Sequence, residues 1–154
     1  MAVTIAKESP VGADLTLLFT RHTADMHADT PPESIHMMDA GQLAVPQVAF
    51  FVLREAGVAQ AMGAFKRLSG SHAEIKSMHV LAEARGRGLS KAMLDHLILE
   101  ARAAGVTQLS LETGVQPTFV AARALYTKAG FTECPPFEGY VEDPNSVFMT
   151  RSLA

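Results

Sequence analysis

The apolar positions of this chain repeat with two different periods, and the places where the period changes mark out its elements. Ala2 to Ala6, short and partly β-branched, predicts a first strand. From Ala13 to His27, Leu15, Leu18, Phe19 and Met26 fall near helical spacing, with Asp14 in the first turn. Thr30-Pro31-Pro32 ends that helix. Ser34, Ile35, Met37 and Met38, ahead of Gly41 as a breaker, predict a second short helix starting at Ser34. Gln47 to Arg54 alternates through Val48, Phe50 and Val52 and reads as a strand. Glu55-Ala56-Gly57 is a turn, and Val58 to Leu68, interrupted at Gly63, is its hairpin partner, ended by Ser69-Gly70-Ser71.

The second half reads differently. Ala73 to Leu81 is a strand carrying Ile75, Met78 and Val80. Gly88 to Ala103 is a helix, because Leu89, Ala92, Met93, Leu97 and Ala101 recur at three- and four-residue steps, and Gly105 suits its C-terminal cap. Val106 to Thr113 is a strand, Thr118 to Ala129 a helix capped by Gly130, Phe131-Thr132 the start of a strand, and Val147 to Ser152 the last. Antiparallel hairpins followed by strand-helix-strand-helix-strand argue for an α/β sheet with helices on its faces. The chain shows no internal repeat, low-complexity tract or linker, so residues 1–154 are expected to form one domain.

Composition narrows the partners. The formal net charge is -3, which does not suit a nucleic-acid partner held through phosphates. A polyanionic small ligand would need a local site instead. One cysteine, Cys134, excludes an intrachain disulfide. Met1 to Pro10 lacks a signal-peptide core, and no apolar run approaches the roughly 20 residues of a membrane span. A cytoplasmic protein without a membrane partner is the expectation.

The stretch richest in chemistry is Glu74 to Ser90. A strand enters a loop, Arg85-Gly86-Arg87-Gly88, which opens the helix at Leu89-Ser90. Unpaired amides at a helix N-terminus bind phosphate, glycine lets the backbone approach it, and Arg85 and Arg87 can add charge-assisted contacts. The other reading of the two glycines is a tight turn with no ligand. Neither a P-loop nor a dinucleotide fingerprint fits: Leu89-Ser90 follows Gly88 where the first needs Lys-Ser/Thr, and Lys91 stands at the second's third small residue.

Arg85-Gly86-Arg87-Gly88-Leu89-Ser90 resembles the Gln/Arg-x-x-Gly-x-Gly/Ala signature of the GNAT superfamily of N-acetyltransferases. Leu125-Tyr126-Thr127-Lys128-Ala129-Gly130-Phe131 is similar to its C-terminal Leu-Tyr-x-x-x-Gly-Phe element. The separation of the two and the strand order around them also match. Leu111-Glu112-Thr113-Gly114 and Pro135-Pro136-Phe137 resemble a bacterial subgroup. Two positions depart from the pattern: Ser90 replaces the usual final glycine or alanine, and Phe119 stands about where many members carry asparagine.

The resemblance implies a mixed, mostly antiparallel central sheet with a splayed parallel strand pair and helices on both faces. The pair here would be Ala73–Leu81 and Val106–Thr113. It implies acetyl-CoA as co-substrate, with Met78, His79 and Val80 against the pantetheine arm. Arg85, Gly86, Arg87, Gly88, Leu89 and Ser90 would take the pyrophosphate. Tyr126 would stand near the thioester sulfur as proton or hydrogen-bond donor to the leaving thiolate. A protonated amine, with a pKa of about 10.4 in water, must lose a proton before it attacks.

Glu74 is the candidate base; its other reading is a sheet-edge carboxylate paired with Lys76 or an arginine. Glu112 is a further candidate for the amine or the proton, or else a strand carboxylate facing solvent. The histidines (His22, His27, His36, His72, His79 and His96) show no zinc-site spacing, so no metal is expected, and His79 is expected to alternate outward. Cys134 has no nucleophile motif, and the Met37-Met38 pair reads as packing.

The activity implied is acetyl transfer to a primary amine, small molecule or peptide, by direct attack in a ternary complex. A non-catalytic acyl-CoA-binding sensor module is the alternative. The resemblance implies that the acceptor enters between Asp25 to Leu43 and Phe137 to Asn145, and Asp25, Asp29, Glu33 and Asp39 in the first segment are compatible with a cationic amine. A homodimer is expected by family analogy alone.

Overall fold

The alternating runs fold into seven strands of one sheet in a computed structural model that describes residues 2–154. They are β1 (Val3–Lys7), β2 (Val48–Glu55), β3 (Val58–Arg67), β4 (His72–Val80), β5 (Gln108–Gly114), β6 (Thr132–Glu133) and β7 (Ser146–Ser152). In space they run β1-β2-β3-β4-β5-β7-β6, and every neighbouring pair is antiparallel except β4 with β5. Four helices accompany them: α1 (Thr16–Asp29), α2 (Ala40–Leu43), α3 (Leu89–Ala103) and α4 (Val120–Lys128).

Side chains of consecutive strand residues point to opposite faces, so Phe50 and Phe51 report what covers each face of β2. The Phe50 ring stacks on Phe19 of α1 at 5.8 Å, and the Phe51 ring meets His96 of α3 edge-on at 4.9 Å. Helices therefore cover both faces, as expected. The helical spacing in α3 buries Met93, Leu94, Leu97 and Ala101 completely. Each large side chain among them contributes roughly 1.5–3 kcal/mol by leaving water.

Three expectations need correction. The short helix expected from Ser34 is a single 3-10 turn at Pro32–Ser34, and residues 35–39 are irregular. The α-helix begins only at Ala40, where Asp39 caps it. Its carboxylate accepts from the Gln42 amide at 2.7 Å, while the Gln42 side chain accepts from the Asp39 amide at 2.9 Å. This reciprocal cap outweighs the local cost of Gly41, which lies inside the helix rather than ending it. The helix expected from Thr118 likewise opens with a 3-10 turn, Pro117–Phe119.

Gly63, read as an interruption, is continuous with β3, and the irregularity belongs to its partner. Met62 pairs with His79 and Ala64 with Lys76, so Gly63 alone opposes Ser77 and Met78 on β4. That is a β-bulge, with Ser77 at φ +58°, a left-handed conformation unusual for serine in a strand. Glycine is needed opposite it: a Cβ at Gly63 would lie 2.8 Å from Met93 Cγ and 3.0 Å from Met78 Sδ.

The bulge precedes a separation. β4 and β5 pair only at His72–Gln108, Ala73–Leu109 and Glu74–Ser110. Beyond those pairs β5 continues its ladder with β7 through Gly114, while β4 runs on to Val80 without a partner on that side. The parallel pair is splayed.

Candidate active site

The opening between β4 and β5 is a cleft of about 530 Å³. Its walls are β4 from Glu74 to Val80, β5 from Leu111 to Gly114, the loop ahead of α3, and α4 from Ala121 to Tyr126. Unpaired strand backbone on one side and a helix N-terminus at one end give it amide donors without a basic surface.

The loop is shaped by its glycines. Gly86 and Gly88 have φ of +79° and +77°, and Gly88 is the N-cap residue of α3. No side chain caps that helix, so its first amides keep their hydrogens for another acceptor. Gly86, Gly88, Leu89 and Ser90 all line the cleft. A Cβ on either glycine would meet no protein atom within 4 Å, so the space beside them is open.

The two arginines diverge. Arg85 lines the cleft, its guanidinium donating to Asp25 Oδ2 at 3.0 Å and to the Val80 carbonyl at 3.1 Å. Arg87 turns the other way and pairs with Glu55 of β2, whose carboxyl it holds below the usual range. The structure thus separates Arg87 from the cleft lining where the sequence placed it beside Arg85.

Two residues of β4 that line this cleft each hold a buried polar atom with no partner among the described residues, Ser77 Oγ and His79 Nε2. Leaving such atoms unpaired is costly. His79 does not alternate outward. It is 7% exposed because α1 covers that face, with His22 edge-on at 5.2 Å and Asp25 Oδ2 3.9 Å from its Nδ1.

Burial, reinforced by the neighbouring His79 and opposed by Asp25, lowers the His22 pKa from 6.5 to about 4. The unfolded chain therefore binds this proton more tightly than the folded one. Stability should fall as pH drops through 6.5 toward 4, by up to about 3 kcal/mol from this group. Guanidinium unfolding at several pH values checks this: His22→Leu should flatten part of the wild-type slope in that window. Equal slopes in the two proteins would reject it.

Toward the start of β4, on the face shared with His79, three side chains form a network. The Tyr140 hydroxyl donates to Glu74 Oε2 at 2.6 Å. Lys76 Nζ donates to the Tyr140 oxygen and to the His36 carbonyl, each at 3.0 Å, and lies 3.3 Å from Glu74 Oε2. Glu74 is 4% exposed and sits mid-sheet, so it is not an edge carboxylate, although its pairing with Lys76 is present. Burial and the Glu74 charge push the Tyr140 hydroxyl well above its ordinary pKa, so it stays protonated.

Tyr140 falls in the Phe137 to Asn145 stretch expected to border the acceptor, but the sequence did not single it out as a partner of Glu74. It lies in the irregular segment between β6 and β7, where no period assigns a facing. Its ring is held by His36, Phe137 and Phe148 at 4.9–5.4 Å.

Across the cleft, Glu112 of β5 accepts from Ser146 Oγ at 2.8 Å, and burial pushes its carboxyl up. It is not a solvent-facing strand carboxylate. Tyr126 of α4 lines the same cleft, 6% exposed, against the Phe131 ring. Burial, then the Glu112 charge, push its hydroxyl well above the ordinary range, so it stays protonated. Phe119 also lines the cleft and packs on Gly114, where a Cβ would lie 2.4 Å from its ring.

Three of the four acidic residues between 25 and 39 are engaged in separate contacts, and Glu33 is exposed. Asp25 serves Arg85, Asp29 accepts from Thr118, and Asp39 caps α2. Among the described residues no three His, Cys, Asp or Glu side chains gather as a metal site, and no helix is long and apolar enough to cross a membrane.

The sequence profile of the Acetyltransferase (GNAT) family matches residues 16–131. The chain is 42% identical over 142 residues to "Uncharacterized N-acetyltransferase YsnE" of Bacillus subtilis (strain 168), covering 92% of this chain and 94% of that one. It is 40% identical to "IAA acetyltransferase" of Azospirillum brasilense, covering 98% of each. The structure of the acetyltransferase yncA from Salmonella typhimurium with its cofactor acetyl-CoA superposes at TM-score 0.72 and 19% identity, covering 100% of this chain and 95% of that one.

Proposed function

The chain belongs to the acetyltransferase (GNAT) family, and on that premise we propose that it carries the acetyl group of acetyl-CoA to a primary amine by direct attack, with both substrates bound together. The observation that carries the reading is the parting of β4 from β5 beside an uncapped helix N-terminus. The relatives' names differ in acceptor, so the choice of an amine rests on this chain's own groups.

The residues present suit acetyl-CoA. The amides from Gly86 to Ser90, with Arg85, take its pyrophosphate. Met78, His79 and Val80 take the pantetheine arm, where the unpartnered Ser77 Oγ and His79 Nε2 gain acceptors or donors. Arg87, committed to Glu55, acts there only by giving up that pair. When bound, the thioester supplies the activated acetyl group.

The remaining chemistry falls to side chains. Glu74 takes the proton from the incoming amine, directly or through one water. Lys76 and Tyr140 hold its carboxylate in place. Tyr126, kept protonated by its burial, donates to the departing sulfur.

Thiol release from acetyl-CoA across an amine panel tests the reading. Tyr126→Phe should lower kcat by about 10- to 100-fold while acetyl-CoA affinity stays within about twofold, as for a donor used only in the transition state. Acetyl-CoA binding with no turnover on any amine would favour a non-catalytic acyl-CoA sensor instead.

A further inference from the structure

A second cavity of about 500 Å³ shares Met37, Glu74 and Lys76 with the cleft and so adjoins it at the proposed base. We infer that this is the acceptor pocket and that its occupant is an α-amino acid with an apolar side chain, its carboxylate bound by Lys66. The inference rests on the transferase reading and adds the substrate class to it.

The charges of the pocket carry the argument. Lys76 is already spent on Glu74, Tyr140 and the His36 carbonyl. Lys66 also lines the pocket, is only half-exposed, and forms no ion pair among the described residues. It stands directly across the ladder from Glu74, so the two side chains leave the same face of the sheet. Side chains so paired start about 5 Å apart. An α-amino acid carries an ammonium and a carboxylate on one carbon, and this facing pair offers each a group of opposite charge, Glu74 to the first and Lys66 to the second. The other carboxylate of the pocket, Glu138, lies on an exposed loop.

The rest of the lining sets the body of the ligand. Met37, Met38, Val45 and Leu68 make an apolar wall, and methionines adapt to side chains of differing shape. A polyamine would need a second anionic subsite, and in the lining of this pocket the exposed Glu138 is the group that would have to supply it.

The test compares thiol release with phenylalanine, phenylalaninamide, 2-phenylethylamine and spermidine, on the wild type and on Lys66→Met and Lys66→Glu. Wild type should prefer phenylalanine over the amide and over 2-phenylethylamine by at least about 10-fold in kcat/KM, the scale of one charged contact made or left unpaired. Lys66→Met should cut that ratio by about 10-fold, chiefly through KM, and Lys66→Glu should invert it. Spermidine or the amide serving as well as phenylalanine would overturn the inference and leave the transferase reading intact. An unchanged ratio in both Lys66 variants would also overturn it. Acetyl-CoA binding without turnover of any member would overturn both.

Discussion

Glu74→Gln should lower kcat for acetyl transfer by between about 10²- and 10⁴-fold, the range that general-base catalysis contributes. The substitution keeps the shape of the side chain and an oxygen to accept from the Tyr140 hydroxyl, so the network loses charge rather than volume. Lys76 loses its carboxylate partner but keeps the Tyr140 oxygen and the His36 carbonyl. The fold should therefore survive, and circular dichroism with a thermal melt checks that it does. Acetyl-CoA affinity should change little, because the phosphate end of the cleft lies beyond the bulge, at the start of α3. A loss of less than about threefold would move the base to Glu112, across the cleft and more weakly held.

Gly88→Val has the second large effect, on binding rather than on rate. The backbone at Gly88 has φ of +77°, where a branched L-residue costs about 1–2 kcal/mol. No protein atom lies within 4 Å of the added Cβ, so the folded chain meets strain but no clash. The new side chain instead occupies the space beside the α3 amides. Acetyl-CoA affinity should fall at least about 100-fold, or about 3 kcal/mol. Gly57→Val separates the two contributions: Gly57 has φ of +80°, also with nothing near its Cβ, but lies in the β2–β3 turn outside the cleft. Similar losses of melting temperature in both variants, with affinity lost only at Gly88, are expected. Equal affinity losses would make the effect at Gly88 one of stability alone.

What could be read from the chain divides along physical lines. Strands and helices with a sustained period were legible: β2, β3, α3 and β5 lie within a residue or two of their expected bounds, because burial on a defined face enforces the period. The α2 region was not, because Asp39 and Gln42 cap each other and override the apolar pattern ahead of them. The bulge was visible only as a puzzle at Gly63; its position on the opposite strand depends on a cross-strand register that no local pattern encodes.

The site was legible where it is local. The loop from Arg85 to Ser90 is contiguous, so its glycines and the helix start could be read together. Arg87 differs because its partner, Glu55, is 32 positions away. Tyr140 was illegible for the same reason: it reaches Glu74 from 66 positions away through an aperiodic loop. Lys66 was invisible as a ligand group until the ladder set it opposite Glu74.

Calorimetric titration of the folded protein with acetyl-CoA tests the central claim most directly, that the α3 amides and the splayed β4 edge grip a CoA thioester. Saturable heat with a dissociation constant well below the millimolar range is the expected result. A flat thermogram at millimolar acetyl-CoA would contradict it.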